Sequence, residues 1–218
     1  MPASTIPVGD PVTQEFRVRR AMLRAFGLMP ALALFGCNVI PDVNKPLKLY
    51  TLNPSLKPSE AIPPVTWQLV VAEPAAERDI DTTRIALTRT ANVIEYYADG
   101  NWADTAPDLV QAKLIEAFEA TNAIPAVGRD AAGLKPDYIL QSDLRDFQAE
   151  YGTDGVAVAH VSLIAKLVQM PDRRIVHSVD ASAKVSGGGK ELPAIVTAFE
   201  QALSQVLQKV VTGVLTTS

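Results

Sequence analysis

One cysteine among 218 residues excludes a disulfide within the chain and any zinc site built on cysteines. Basic residues are also in short supply: 20 Lys and Arg stand against 24 Asp and Glu, giving a net charge of −4. No basic stripe offsets that balance, so the chain is a poor candidate for holding phosphate backbones, and nucleic acid is not expected as a partner. No G-x-S-x-G sequence is present, which removes the hydrolase nucleophile elbow. The apolar run from Ala25 to Gly36 is well short of the ~20 residues a spanning helix needs, and Pro30 interrupts it. Core-forming material is not lacking. Hydrophobic residues make up 48% of the chain, enough for one globular domain or at most two small ones.

A lone cysteine in an oxidising compartment is a liability unless something consumes its thiol. The N-terminus supplies that chemistry. Arg17, Arg19, Arg20 and Arg24 flank the apolar run, and small residues close it, the parts of a secretory signal in their expected order. Leu34-Phe35-Gly36-Cys37 resembles the bacterial lipobox. By that resemblance the chain is cut before Cys37, which becomes the lipidated terminus, and residues 1–36 are the signal peptide. Two or three acyl chains anchor stably where one does not, since each buried methylene contributes ~0.8 kcal/mol. Asn38 follows in place of the inner-membrane retention Asp, so the outer membrane is favoured. The sequence leaves open whether translation starts at Met1 or Met22. Removing residues 1–36 takes away four Arg and two acids, bringing the net charge to −4 − 2 = −6.

From Asn38 to Pro64, six prolines and few large apolar residues read as an extended tether. Residues 37–64 are therefore expected to be lipidated Cys37 plus tether, and residues 65–218 a single domain. Within the tether, Lys48 to Leu52 has the composition of a short strand or a docking segment. Strands are expected at Thr66–Val71, Thr83–Arg89 and Val93–Tyr97, the last two forming a hairpin at Thr90-Ala91-Asn92. Asp99-Gly100-Asn101 reads as a turn. Val110, Leu114, Ala117 and Phe118 give one face of a helix from about Pro107 to Thr121.

Three longer strands follow, at Asp137–Glu150, Val156–Gln169 and Arg174–Val185. Apolar residues occupy odd positions in the last two, the alternation of a sheet with one buried face. The odd sets then pair with each other, which fits a three-residue loop at Pro171-Asp172-Arg173 with Met170 opposite Arg174. A final helix carries Leu192, Ile195, Val196, Phe199, Ala202, Leu203, Val206, Leu207, Val210 and Val214 on one side. The expected fold is α+β and two-layer: an antiparallel-rich sheet with two main helices packed on one face.

The ordered set Asp81 to Leu87, Ile94 to Tyr97 and Trp102 to Asp104, joined to the lipobox, Tyr50-Thr51-Leu52 and the Leu192 helix, resembles the ABC-type transport auxiliary lipoproteins, the PqiC-like family. The resemblance covers Tyr50 to Leu215. It implies a periplasmic partner of MCE-domain proteins and ABC permeases that move lipids or hydrophobic solutes between two membranes. It implies no catalytic residues, and no cofactor beyond the covalent lipid, a palmitate-type chain, on Cys37. Homo-oligomerisation stays open.

Other candidates for chemistry are few. Ser186 to Glu191 has the glycines of a phosphate loop but not its pattern, with Lys184 and Glu191 at the wrong places. His160 and His177 fall opposite Lys184 and Leu167 in the odd-to-odd register and do not share a metal, so no metal site is expected. Asp143, Asp146 and Glu150 read as a solvated strand face with Arg145 between them. Tyr96, Tyr97 and Trp102 are the candidate partner-binding residues, because adjacent strand residues face opposite ways and cannot both be core. Val156, Val158 and Ile164 lie on the even face of their strand, where the N-terminal segment or a neighbouring subunit would cover them. Two readings of function result: a non-enzymatic accessory that works by protein contact, and a lipid-binding carrier. A carrier needs an apolar pocket of at least ~300 Å³ between sheet and helices.

Overall fold

The computed structural model describes residues 46–56, 62–129, 135–189 and 191–216. Cys37, the signal segment and the tether up to Lys45 lie outside the described residues. The strands are β1 (Lys48–Tyr50), β2 (Gln68–Val71), β3 (Ala75–Ala76), β4 (Arg84–Thr90), β5 (Val93–Trp102), β6 (Ala126–Gly128), β7 (Tyr138–Tyr151), β8 (Ala157–Gln169) and β9 (Arg174–Ser186). Two helices, α1 (Ala106–Ala120) and α2 (Leu192–Leu215), complete the set.

The long strand β7 organises the sheet. β8 pairs with it antiparallel along its whole length, and β9 pairs antiparallel with β8. Along its other side lie β2, β3 and β4 in succession, all parallel to it. β6 runs parallel to β2, β5 antiparallel to β4, and β1 parallel to β5. The sheet is mixed. The long ladders β7–β8 and β8–β9 and the β4–β5 hairpin are antiparallel, as expected, but five short ladders made by β1, β2, β3, β4 and β6 are parallel, so the sheet is not purely antiparallel. The parallel partners are two to seven residues long, too short for their own pattern to state an orientation. Parallel pairing depends on crossovers such as α1, which local periodicity does not report.

In β8, Ala157, Ala159, Val161, Leu163, Ala165 and Leu167 are each at most 1% exposed. They pair with the odd residues of β9 as far as Leu167 opposite His177. The loop differs from expectation. Gln169 pairs with Arg174, leaving four residues, Met170 to Arg173, and a register shift beyond Leu167 restores the odd-to-odd pairing. β7 has a bulge of its own at Arg145. Its buried positions are Leu140, Ser142 and Leu144 before it and Phe147 and Ala149 after it. One extra residue reverses the parity of the strand.

Thr105 caps α1 by accepting from the Asp108 amide at 3.4 Å, and Pro107 sits in the first turn. Gln111 is buried and its amide donates to the Val71 carbonyl at 3.0 Å, tying α1 to β2. In α2 every residue of the expected apolar stripe is buried, and Ala198, Val211 and Leu215 widen it. One hydrophobic cluster joins buried residues of both helices with those of β2, β4, β5, β7, β8 and β9.

The expected domain start at residue 65 is too late. Leu52 is fully buried, Leu56 and Ile62 pack against the core, and β1 belongs to the sheet. Asn53 donates its amide to Glu200 Oε1 at 2.9 Å, and Ser204 Oγ donates to the Ser55 carbonyl at 2.6 Å. Few apolar residues mark this segment, but Leu52 and Leu56 fall where α2 can take them. Composition averaged over the stretch hides them.

Asp99-Gly100-Asn101 is not a turn: the three residues belong to β5, within a stretch where the register with β4 shifts between Tyr96 and Asn101. Gly100 is needed for close approach. A Cβ there would lie 2.6 Å from Tyr50 Cε2 and 3.1 Å from the Lys48 carbonyl of β1. The Asn92 turn is as expected: Thr90 pairs with Val93, and Asn92 takes a positive φ of 65°.

Candidate functional site

Of the three aromatic residues singled out in the sequence, Trp102 is not at the surface. It is 1% exposed at the end of β5, with ring centroids 5.6 Å from Phe147 of β7 and 5.3 Å, edge-on, from Phe199 of α2. Phe147 and Phe199 close the triangle at 5.1 Å. This corrects the partner-binding assignment. The indole fills the space between sheet and helix, and its aromatic partners come from distant parts of the chain.

Tyr96 and Tyr97 are both half-buried and both engaged. The Tyr96 hydroxyl donates to the Asp79 carbonyl at 3.1 Å, and the Arg84 guanidinium lies 3.6 Å from the ring centroid. The Tyr97 hydroxyl is 2.9 Å from that of Tyr151. Burial pushes the Tyr97 phenol up from its ordinary value, and the Tyr151 hydrogen bond and charge add to that. Arg89 sits 4.9 Å over the Tyr151 ring and pairs with Glu95.

A charged cluster that sequence reading missed lies on β7, β8 and β9. His160 pairs across the ladder with Gln148, which brings Asp146 and Glu150, two positions either side, to the same face. His160 Nδ1 is 2.7 Å from Glu150 Oε1 and 3.6 Å from Asp146 Oδ1. Lys184 Nζ donates to Glu150 Oε2 at 2.6 Å, Gln148 donates to Asp146 Oδ1 at 2.9 Å, and His160 Nε2 meets Ser182 Oγ at 3.2 Å. One donor atom from each of Asp146, Glu150 and His160 falls within a 4.8 Å group, a spacing a cation can bridge. Protein partners already satisfy those atoms, with Lys184 supplying the positive charge, so the arrangement is a cross-strand ion network. The signal was available in the acidic run and in the His160–Lys184 pairing. Aligning β7 also requires the Arg145 bulge, which no local pattern announces.

Burial pushes the Glu150 carboxyl up, but hydrogen bonds from Lys184 and His160 outweigh it and hold the group below the usual carboxylate range. A carboxylate whose folded pKa is depressed contributes stability above its unfolded value of ~4.3, and that contribution is lost as pH falls through the folded value. Glu150→Gln is therefore expected to lower the melting temperature at pH 7 and to change it little at pH 3. Thermal melts of both proteins across that range check this, and an equal loss at both ends would show that packing, not charge, is at work.

Between α1, α2 and the segment after β1 lies a cavity of about 20 Å³, lined by Leu56, Ile62, Ala117, Leu207 and Val211 among others. It has room for about one water molecule. No described helix is long and apolar enough to cross a membrane.

A mixed sheet joined through one core to two amphipathic helices defines a small α+β domain. The chain belongs to the ABC-type transport auxiliary lipoprotein component family, whose model matches residues 50–211. The crystal structure of protein XCC0632 from Xanthomonas campestris, of family model DUF330, is similar at a TM-score of 0.74 and 34% identity. The match covers 78% of this chain and 95% of that one. A crystal structure of an uncharacterized protein shares the fold at a TM-score of 0.60 and 12% identity, over 76% of this chain and 96% of that one. Uncharacterized protein bll6063 of Bradyrhizobium diazoefficiens is 30% identical over 147 residues, 66% of this chain, and the matched stretch spans 38% of that relative's length.

Proposed function

We propose that this chain is a lipid-anchored, non-catalytic accessory of an ABC/MCE-type system that moves lipids or hydrophobic solutes across the cell envelope. Acyl chains on Cys37 hold it at the periplasmic face of the outer membrane, and it acts by touching an MCE-domain protein and its ABC permease complex. The observation that carries the reading is the family match over residues 50–211, joined to the lipobox at Leu34 to Cys37. The cavity beside α1 and α2 holds only about 20 Å³. The roomier groove of about 320 Å³ beside Ile139, Val168 and Ile175 is lined also by Gln141 and Arg173 and lies away from the helices. A carrier would need an apolar pocket of at least ~300 Å³ between sheet and helices, so these volumes favour an adaptor. Tyr96 and Tyr97 remain the candidate partner-facing residues, being half-exposed on β5; Trp102 leaves that set.

Affinity purification of the full-length protein from detergent-solubilised membranes, with co-purifying proteins identified by mass spectrometry, tests the reading. An MCE-domain protein or ABC permease is expected among them. Their absence, where a control lipoprotein keeps its own partner, would overturn the accessory reading in favour of an independent lipid carrier.

A further inference from the structure

Four large aliphatic side chains are exposed on the two strands at one edge of the sheet, two at β1 and two at the hairpin end of β5. Leu47 and Leu49 are 52% and 66% exposed, and Val93 and Ile94 are 47% and 37% exposed. Leu49 belongs to β1, which pairs only with Gly100 to Trp102 of β5. Among the described residues, the outer edge of β5 from Val93 to Ala98 therefore has no strand against it. Two further exposed aliphatics, Ile175 and Val176, flank the β8–β9 loop. That loop lies beside Tyr138, at the opposite end of β7 from the Gln148 to Glu150 stretch that β4 pairs with. Single exposed leucines are ordinary; four along one edge, two where the chain enters the domain and two at the hairpin end of the same edge, need an account.

The chain outside the structure supplies one. β1 starts at Lys48, eleven residues after Cys37. Eleven extended residues span at most ~40 Å, where a tether running to residue 64 would have allowed more than twice that reach. If Cys37 is acylated, the β1 edge is held within that distance of the bilayer. We propose that Leu47, Leu49, Val93 and Ile94 rest in the headgroup layer of the membrane that holds the anchor; this rests on the acylation of Cys37 argued above. Exposed Lys48 sits between two of them and meets anionic headgroups favourably. The apolar–polar boundary of a bilayer accepts such a mixture. A second copy of the chain is a poorer occupant, since a stable dimer buries roughly 800 Å² per partner and four aliphatic side chains fall well short. A membrane contact needs no comparable area, because the anchor already supplies a high local concentration.

The chain has one cysteine, so acylation leaves an introduced thiol as the only site for a probe. Full-length lipidated protein carrying Leu49→Cys, labelled with an environment-sensitive fluorophore, is inserted into phosphatidylethanolamine–phosphatidylglycerol vesicles at one copy per vesicle. Asp180→Cys on exposed β9 serves as the reference. The Leu49 label is expected to shift to the blue and to be quenched by aqueous iodide several-fold less than the Asp180 label. If the protein floats with the vesicles and both labels are quenched equally, the anchor stands and the membrane contact is overturned. Shielding that appears only in vesicles carrying several copies assigns the edge to a second copy and also overturns it. If the wild-type protein does not float at all, acylation of Cys37 fails and the proposal fails with it.

Discussion

Replacing Trp102 with alanine is expected to cost about 3–5 kcal/mol of stability, the range for deleting a large aromatic side chain from a packed core. Its ring touches Phe147 and Phe199 at centroid distances of 5.6 and 5.3 Å. Each such pair contributes about 0.5–1.5 kcal/mol beyond the area it buries. The cavity left behind has little means of collapsing, because its walls belong to β7 and α2, each fixed by its own ladder or helix. For a domain of this size each kcal/mol moves the melting temperature by about 2–4 °C, so a fall on the order of 10 °C is expected. Trp102→Phe keeps most of the contact and should recover most of the loss. A partner-binding Trp102 would give the reverse pattern: an unchanged melting temperature and a weakened complex. Thermal unfolding of the two variants, measured beside co-purification, decides between these.

The contrast between Trp102 and its neighbours shows where the sequence is readable. Residues of α2 and the odd positions of β8 were assigned from spacing alone, because amphipathic periodicity is a local property and burial follows it directly. All ten expected stripe residues of α2 are buried. Trp102 carries no periodic signal. Its environment is made by Phe147 and Phe199, which only tertiary packing brings near. Tyr96 and Tyr97 illustrate a middle case. Strand alternation would keep one of them off the core, yet both pack against it, and alternation could not say that one reaches the Asp79 carbonyl and the other Tyr151.

The ion network has a similar history. Its members were visible as an acidic run on one strand and a histidine opposite a lysine on two others. What could not be counted from the sequence is the bulge at Arg145, which puts both Arg145 and Asp146 outside the core between buried Leu144 and Phe147. The parallel half of the sheet was hidden for another reason. β1, β2, β3 and β6 have two to four residues each, and strands of that length are placed by what they pair with.

Gly100→Ala should destabilise the protein by about 1–3 kcal/mol, the usual cost of forcing a methyl into a filled space. The new Cβ would stand 2.6 Å from Tyr50 Cε2, 3.0 Å from Leu192 Cδ2 and 3.1 Å from the Lys48 carbonyl. Two side chains can rotate away, but the carbonyl is backbone, so β1 itself must move. Only three residues hold β1 to β5, aided by the Ala103 amide donating to the Tyr50 carbonyl at 2.8 Å. Hydrogen exchange should therefore accelerate at Ala103 and through residues 48–52 before the rest of the sheet responds. The sign separates two accounts of this glycine. In an unstrained turn, Gly→Ala stabilises by about 0.4–1 kcal/mol through the unfolded state; beside a packed strand it destabilises. The consequence reaches the membrane. With β1 released, the first residue after Cys37 that the domain holds moves from Lys48 to Leu52, from eleven residues along the chain to fifteen. Leu47 and Leu49 would then leave the sheet edge. In the vesicle assay, a label at Ile94→Cys in the Gly100→Ala background should regain access to iodide while the protein still floats. Continued shielding of that label would mean that the β4–β5 hairpin reaches the bilayer without help from β1.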